Sequence, residues 1–558
     1  MSVDDALAVP APRLDDAPGT AVHRELGQGL RLSDMAYRAL RQLRQRGFFL
    51  RLPARWRLRA NQASDYLFQR HEVQRLQRSI RPRNFQKIEM PEGERVTIPT
   101  VLLAEYFTAS GVHRLYKALH KFGWDTPRRF TLDESGRDSL TSSRGGRGQT
   151  WWRIAELVHP SHNYPTMDGQ RTRLPTGVRS IHLVGVSIGN GLTAVVAQFS
   201  LDDSVSDQLN RQLQFPHQPA LIKLNGKRSV AQASKAVLHF QVQKTRAQVH
   251  HELRQWMTQT LPGAFAREGA PHPIFDVVFF DVANPLAAEP RAHRQNDALR
   301  AIGVDSQSSH LVMSPELPGL VLDQPSSRRG FSQISENVWT FWGNRSAEAA
   351  LTEHTGNSGL SAAGFHAGDG SIDFIARTGL TALLHLLRRN ASKAHDNARQ
   401  LHGGMRNRDL KRLRDRTLTT SLDLARLRED VAIYNGGRWR DLEPQFFLDR
   451  SPWLKAREEA EGRKPSLNPI DINRGQRKEQ KHLARELVAF DAEYREVLGT
   501  VASLGASLDS RRVQRIAVGI SVASLAVAVA TLGVTQQPLE DLKDSACAIL
   551  GIFGWPTS

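Results

Sequence analysis

The sequence predicts an α/β domain with a mixed sheet, a pattern that an α+β arrangement also fits. A helical N-terminal region precedes the domain. A long-helix stalk or coiled-coil bundle and one C-terminal transmembrane helix follow it. Three observations predict this order. Short apolar runs bounded by turn residues interleave with helical periodicity between residues 150 and 345. Beyond residue 371 apolar positions recur at alternating spacings of three and four. Finally, Ile516 to Val534 is a run of nineteen uncharged residues.

The chain has 558 residues, too many for one compact domain. Its composition is 40% hydrophobic and 24% charged, which is ordinary for a globular chain. Its single cysteine, Cys547, excludes a disulfide framework within the chain and a cysteine-based metal cluster. Residues 1–21 carry Asp4, Asp5, Asp15 and Asp16 among Ala and Pro. They lack the basic start and apolar run of a signal peptide and read as a disordered tail.

Residues 22–134 read as a basic helical region. Leu32, Met35, Ala39 and Leu43 fall at helical spacing, and a second amphipathic helix is expected around Leu102 to Phe122. Between residues 31 and 87 stand fourteen Arg and one Lys against Asp34, Asp65 and Glu72, a net +12 out of the chain's +18. Aromatic residues Phe48, Phe49, Trp56, Tyr66, Phe68 and Phe85 interleave them. The candidate anionic-surface residues are Arg38, Arg41, Arg44, Arg46, Arg51, Arg55, Arg57, Arg59, Arg75, Arg78, Arg81 and Arg83. The partners expected are a lipid bilayer, with anionic lipid or an acidic protein ahead of nucleic acid.

The Ser-, Gly- and Arg-rich segment 135–149 reads as a linker. The α/β domain follows over 150–345. Two apolar strands flank Gly189-Asn190-Gly191, a hairpin signal because such turns need positive φ. Ser229 to Leu261 reads as a helix, stopped by Pro262 and Gly263. Ile274 to Val282 reads as a buried central strand, with further strands at His310–Ser314, Gly319–Asp323 and Val338–Trp342.

The helical stalk spans 371–515 and is interrupted by a proline-containing loop over 435–477. Leu380, Leu384, Leu387, Ala391, Ala394, Ala398 and Leu401 form the first seam. Leu410, Leu413, Thr417, Thr420, Leu424, Leu427, Val431 and Tyr434 form the second. Leu483, Leu487, Phe490, Tyr494, Val497, Val501, Leu504 and Leu508 form the third. Such seams face partner helices, within one chain or through a homo-oligomer. The third helix has no Pro from Gln480 into the apolar run 516–534. Arg511, Arg512 and Arg515 flank that run, which puts the N-terminal region in the cytoplasm and makes the chain a single-pass membrane protein. The tail 535–558 contains a short apolar segment with Trp555 at headgroup level.

Motifs for chemistry are sparse. Gly185-Val-Ser187-Ile-Gly189 has the spacing of a serine-hydrolase elbow, and Gly189-Asn-Gly191-Leu-Thr-Ala194 that of a dinucleotide loop. Both need a helix after the turn, and a strand is expected there. His159 and His162 stand at a spacing that could offer two metal ligands, but no acidic or thiol partner is close in sequence. No metal site and no cofactor are expected.

Phe280-Asp281-Val282-Ala283-Asn284 ends a strand, Ser314 ends another, and Gly368-Asp369-Gly-Ser-Ile-Asp373 follows. The order resembles the haloacid-dehalogenase-like phosphohydrolases. That resemblance implies Asp281 as nucleophile, Ser314 on the phosphate, and Asp369 and Asp373 on magnesium. An α/β domain followed by long helices and C-terminal apolar segments is also similar to the CorA-type magnesium channels. Here Leu532-Gly-Val-Thr-Gln-Gln stands where that family carries Gly-Met-Asn. The reading that fits the whole chain is a membrane-anchored sensor, scaffold or regulatory protein whose stalk couples the α/β domain to the bilayer.

Overall fold

A computed structural model describes residues 26, 31–79, 86–126, 135–146, 151–161, 169–224, 228–287, 296–304, 309–323, 335–353, 356–401, 407–436 and 443–533. Within the long helices, the side chains of 394, 395, 397–417, 497–513, 515, 516 and 527–533 lie outside the described residues. The expected tail 1–21 and the segment 535–558, with Cys547 and Trp555, also lie outside them.

The chain opens with α1 (Leu32–Gln45), a 3₁₀ turn (Gly47–Arg51) and α2 (Ala54–Gln77). Then come β1 (Val96–Phe107), α3 (Val112–Lys121), α4 (Gly136–Arg144), β2 (Trp151–Val158), β3 (Gln170–Arg171), β4 (Val178–Ser187) and β5 (Thr193–Leu201). The chain continues through α5 (Asp203–Gln214), β6 (Ala220–Leu224), β7 (Arg228–Gln232), α6 (Ser234–Thr260), α7 (Ala264–Arg267) and β8 (Ile274–Phe280). After α8 (Asp297–Ile302) come β9 (His310–Met313), β10 (Leu320–Asp323), β11 (Val338–Asn344), α9 (Ala347–Thr352) and α10 (Leu360–Gly370). The last elements are α11 (Ile372–Leu401), α12 (Asn407–Gly436), β12 (Phe447–Arg450), α13 (Pro452–Ala460), β13 (Ile470–Asp471) and α14 (Ile472–Gly533).

Among the described residues eleven strands form one sheet, ordered β13-β12-β9-β10-β11-β8-β1-β5-β4-β2-β3. The β8–β11 and β2–β3 pairs are parallel and the others antiparallel, so the sheet is mixed, as the sequence predicts. All seven residues of β8 are buried, and β8 sits in mid-sheet. A strand covered on both faces reads as an unbroken apolar run.

Two expectations are overturned here. The first concerns Leu102, read as the start of a helix. It lies in β1, the twelve-residue strand beside β8, and the helix begins only at Val112. A strand buried on both faces has no polar alternation, and its apolar residues can imitate a helical face. Pro99 sits in β1 where the β1–β8 register shifts between Thr97 and Thr100. Pro brings no N–H to the ladder, and the resulting bulge shifts the side-chain alternation by one residue. Val96 and Ile98 before it, and Val101, Leu103 and Phe107 after it, then face the same core.

The second concerns 135–149, read as a linker. It contains α4, capped by Ser135, whose Oγ accepts the Asp138 N–H at 3.2 Å. That Ser-x-x-Asp capping signal was legible beneath the glycines.

The chain divides into two compact units, residues 1–386 with 426–482, and residues 387–425 with 483–558. The first holds the sheet. Leu380, Leu384, Leu427 and Val431 of the expected seams are buried in it. In the second, Leu424, Leu483 and Leu487 are buried, Arg388 pairs with Glu486 at 3.2 Å, and Ser421 donates to Asp491 at 2.8 Å.

The C-terminal transmembrane helix is not supported. Among the described residues no helix is long and apolar enough to cross a membrane. Helix α14 runs through the apolar stretch, but it carries many charged residues between Arg474 and Arg515. The side chains described there, 517–526, cover about 15 Å at 1.5 Å per residue, half a hydrocarbon core. Single-pass membrane localisation falls with the span. Arg511, Arg512 and Arg515, expected to flank it, lie on α14 with two turns of helix at most between them and the described apolar side chains.

Candidate functional site

The richest polar cluster of the sheet-bearing unit is built around Arg377 of α11. Its Nε donates to Glu443 Oε1 at 2.5 Å and its Nη1 to Asn435 Oδ1 at 2.5 Å. The guanidinium lies 4.6 Å from the ring centroid of Tyr434. From α14, Gln480 Nε2 donates to the Arg377 carbonyl at 2.7 Å and to Thr381 Oγ1 at 2.9 Å. From the sheet, the Tyr106 hydroxyl donates to the Ala376 carbonyl at 2.5 Å. One arginine thus joins α11, α12, the segment before β12 and the first turns of α14.

Electrostatically the cluster is tight. Arg377 is 2% and Glu443 3% exposed. Glu443 Oε2 and Asn435 Nδ2 have no hydrogen-bond partner. Asp373 lies one helical turn before Arg377. Burial, and then the neighbouring Glu443, push its carboxyl up to about 6, against the pull of Arg377. Arg477 approaches Glu443 Oε2 at 3.8 Å from the other side, and two carboxyl groups this close in a buried setting disfavour each other's ionisation. The cluster can therefore take up a proton close to neutral pH.

A second junction explains the glycine motifs. Asp430 of α12 is fully buried against the β4–β5 turn, where the Gly191 N–H donates to its Oδ1 at 3.1 Å and Oδ2 at 3.0 Å. A Cβ on Gly189 would lie 2.7 Å from Asp430 Cγ, and one on Gly191 would lie 2.6 Å from Asp430 Oδ2. The Gly185–Gly189 and Gly189–Ala194 patterns are therefore a turn seated on a carboxylate. Ser187 is a strand residue whose hydroxyl donates to the Gly189 carbonyl at 3.2 Å. Burial raises the Asp430 carboxyl, opposed by the Gly191 N–H and by Arg426.

A third network lies between β8 and α6. Asp276 accepts from Arg246 Nε at 2.6 Å and pairs with His250 Nε2 at 2.9 Å. Arg246 Nη2 also donates to Thr340 Oγ1 of β11 at 2.6 Å. Burial alone would raise Asp276, but Arg246 and His250 outweigh it and bring the carboxyl down to about 2. Arg246 and His250 are one helical turn apart, a spacing visible in the sequence, although nothing there pointed to Asp276 as their partner.

The phosphohydrolase residues do not converge. Asp281 follows β8, with its carboxylate 3.8 Å from Arg345 Nη1. Ser314 donates to Glu316 Oε2 at 2.6 Å within its own loop. Asp369 is exposed at the end of α10, and Asp373 belongs to the Arg377 cluster. Phe280 pairs with Val96, whereas a Cβ on Gly368 would touch Leu102, six residues further along β1. At about 3.3 Å per residue that separates Asp281 from Asp369 by roughly 20 Å. Among the described residues no group of three or more His, Cys, Asp or Glu could hold a metal. His159 bonds Ser161 at 2.6 Å, and His162 lies outside the described residues.

No known protein family matches this chain, and no curated protein or solved structure is similar to it. The site rests on its own geometry. Of the basic residues, Arg38, Arg41, Arg44, Arg46, Arg51, Arg55, Arg59, Arg75 and Arg78 are exposed on α1, α2 and the turn between them. Arg57 is half-buried, and Arg81 and Arg83 lie outside the described residues. Arg44 donates to Ser64 at 3.3 Å, and Arg75 pairs with Glu72. Helix α2 is fixed to the β6–β7 ribbon, where Gln69 Oε1 accepts the Ala231 N–H at 2.8 Å and Gln77 Nε2 donates to the Pro219 carbonyl at 2.9 Å.

Proposed function

We propose that the protein is a scaffold or regulatory protein in which the state of the sheet-bearing unit is passed along its long helices. The observation that carries this reading is the Arg377 cluster. It ties α11, α12 and α14 together within the first unit. Each of those three helices continues into residues of the second unit without a break in its backbone. A continuous helix transmits a tilt or rotation that a flexible linker would lose.

Several buried carboxylates among the described residues are engaged in holding the fold. Asp276 holds Arg246 and His250, Asp430 holds the Gly191 turn, and Glu105 accepts the Phe265 and Ala266 N–H groups at 2.9 Å each. These are positioning contacts within the fold, and they support a binding role over a chemical one.

Hydrogen exchange on the full chain tests the reading. Arg377→Met removes the cation and leaves buried Glu443 without its closest partner, with only Arg477 at 3.8 Å. The expected result is faster exchange in peptides from 372–386 and 426–436 and also in peptides from 387–425. Faster exchange confined to the first group, with 387–425 unchanged, would overturn the proposal.

A further inference from the structure

The two N-terminal helices carry an apolar surface that the fold leaves uncovered. On α1, Leu32, Met35, Ala36 and Ala39 are exposed, with Leu32 82% and Met35 44% accessible. At about 100° per residue these four fall within an arc of roughly 100°. The residues α1 turns toward α2 are others: Asp34 is buried, and Tyr37 and Leu40 are half-buried. The 3₁₀ turn adds Phe48 and Leu50, the latter 72% accessible. On α2, Trp56, Arg59, Ala63, Tyr66 and Arg70 are all exposed and share an arc of about 80°. The Arg59 guanidinium lies 5.7 Å from the centroid of the Trp56 ring.

The charge on this surface is one-sided. Arg46, Arg51, Arg55, Arg59 and Arg70 are all exposed on it or at its edges. Of the three acidic residues on these helices, Asp34 is buried, Glu72 is paired with Arg75, and exposed Asp65 points away from the Trp56 face of α2. A protein partner or a nucleic acid could answer the charge. Neither answers the aliphatic side chains as well. Leu32, Met35 and Leu50 have nothing to stack on a base and nothing to bond to a phosphate. They gain by leaving water for hydrocarbon, at about 25 cal/mol per Å² of apolar surface. Apolar side chains along one face with arginines beside them describe a helix that lies in the plane of a membrane interface.

We propose that α1, the following turn and α2 form a docking face for an anionic lipid bilayer. The arginines lie against the headgroup phosphates, and Leu32, Met35, Leu50 and Trp56 enter the acyl boundary. This is attachment at a surface, with no segment crossing. It does not rest on the coupling role of Arg377, and the two experiments fail independently.

The test is sedimentation of the full chain with vesicles of phosphatidylcholine alone and with 30% phosphatidylglycerol added, in about 0.15 M salt. Binding is expected to the anionic vesicles and to be at least tenfold weaker to the neutral ones. Arg46→Gln, Arg51→Gln, Arg55→Gln and Arg70→Gln combined should weaken anionic binding by on the order of a hundredfold or more, at roughly tenfold or somewhat less per arginine. Leu50→Ser with Trp56→Ser should weaken it at unchanged charge. All six residues are exposed, and circular dichroism checks that the variants fold. Equal binding to both vesicle types would overturn the proposal. So would anionic binding that the four-arginine variant retains, or tight binding of an RNA oligomer by a chain that leaves both vesicles untouched.

Discussion

Replacing Asp373 by Asn isolates the proton-binding behaviour of the Arg377 cluster. In the folded chain burial, followed by Glu443, raises the Asp373 carboxyl from 3.8 to about 6. A carboxyl whose folded value lies above its unfolded one is stabilising when protonated. Its contribution is fully present below about pH 3.8 and is lost as pH rises through about 6. A shift of about two units corresponds to ~3 kcal/mol at 1.36 kcal/mol per unit. Asn cannot ionise, so the variant escapes that loss. Urea midpoints of wild type and Asp373→Asn, followed by circular dichroism, should therefore differ with pH. The variant should gain about 3 kcal/mol on wild type between pH 4 and pH 7.5. Asp276 is held at about 2, and the stability it contributes is lost only as pH falls below about 3.8, outside this window. His250 is common to both chains and cancels in the difference. Glu443→Gln removes the neighbouring carboxylate and should shrink the gain. A stability difference that is the same at pH 4 and pH 7.5 would refute the reasoning, because Asp373 would then titrate as it does in the unfolded chain.

Two further replacements probe the junctions. Gly191→Ala places a methyl group against Asp430 and Arg426 and should cost about 1–3 kcal/mol by overpacking, read as a lowered urea midpoint. A change below about 0.5 kcal/mol would mean that the turn is not seated on α12. Arg246→Met strands Asp276 in the interior and should cost about 3–5 kcal/mol. Arg246→Met combined with Asp276→Leu should recover much of that loss, since an apolar pair leaves no buried charge. A double variant as unstable as the single one would show that Arg246 matters for packing rather than for charge.

The mixed sheet was legible where local signals were strong. The Gly189-Asn-Gly191 turn pointed to the hairpin between β4 and β5, and the Val- and Phe-rich run pointed to β8. It was not legible where burial erased the pattern. Leu102 and Leu103 of β1 are covered on both faces, so their spacing carried no period-two signal, and Pro99 concealed a strand that simply bulges around it. The sheet also draws strands from far along the chain, with β12 and β13 arriving from 447–471 to pair beside β9. No local pattern can announce a pairing across more than a hundred residues. The candidate site was hidden for the same reason. Asp373 was visible as a Gly-Asp-rich turn and suggested magnesium chemistry. Its neighbours Glu443, Asn435 and Gln480 come from three other segments that only the fold brings together.

The chain's arginines therefore do two kinds of work, and net charge alone conceals the difference. Arg246 and Arg377 are each almost fully buried and bridge elements distant in sequence. Arg is suited to this, because its planar fork bonds a carboxylate and a second acceptor at once and stays charged when desolvated. The arginines of α1 and α2, Arg57 apart, are exposed. Residues 31–87 carry +12 of the +18, leaving the other 501 residues close to balance. A balanced body suits buried ion pairs that specify which helix meets which strand. A concentrated positive face beside uncovered leucines suits attachment to something anionic and apolar. The vesicle and hydrogen-exchange experiments separate the two, because neutralising Arg46, Arg51, Arg55 and Arg70 should abolish attachment and leave exchange in 372–386 unchanged. If that variant also loosened 372–386, the exposed arginines would belong to the same structural network as Arg377, and the division drawn between them would fall.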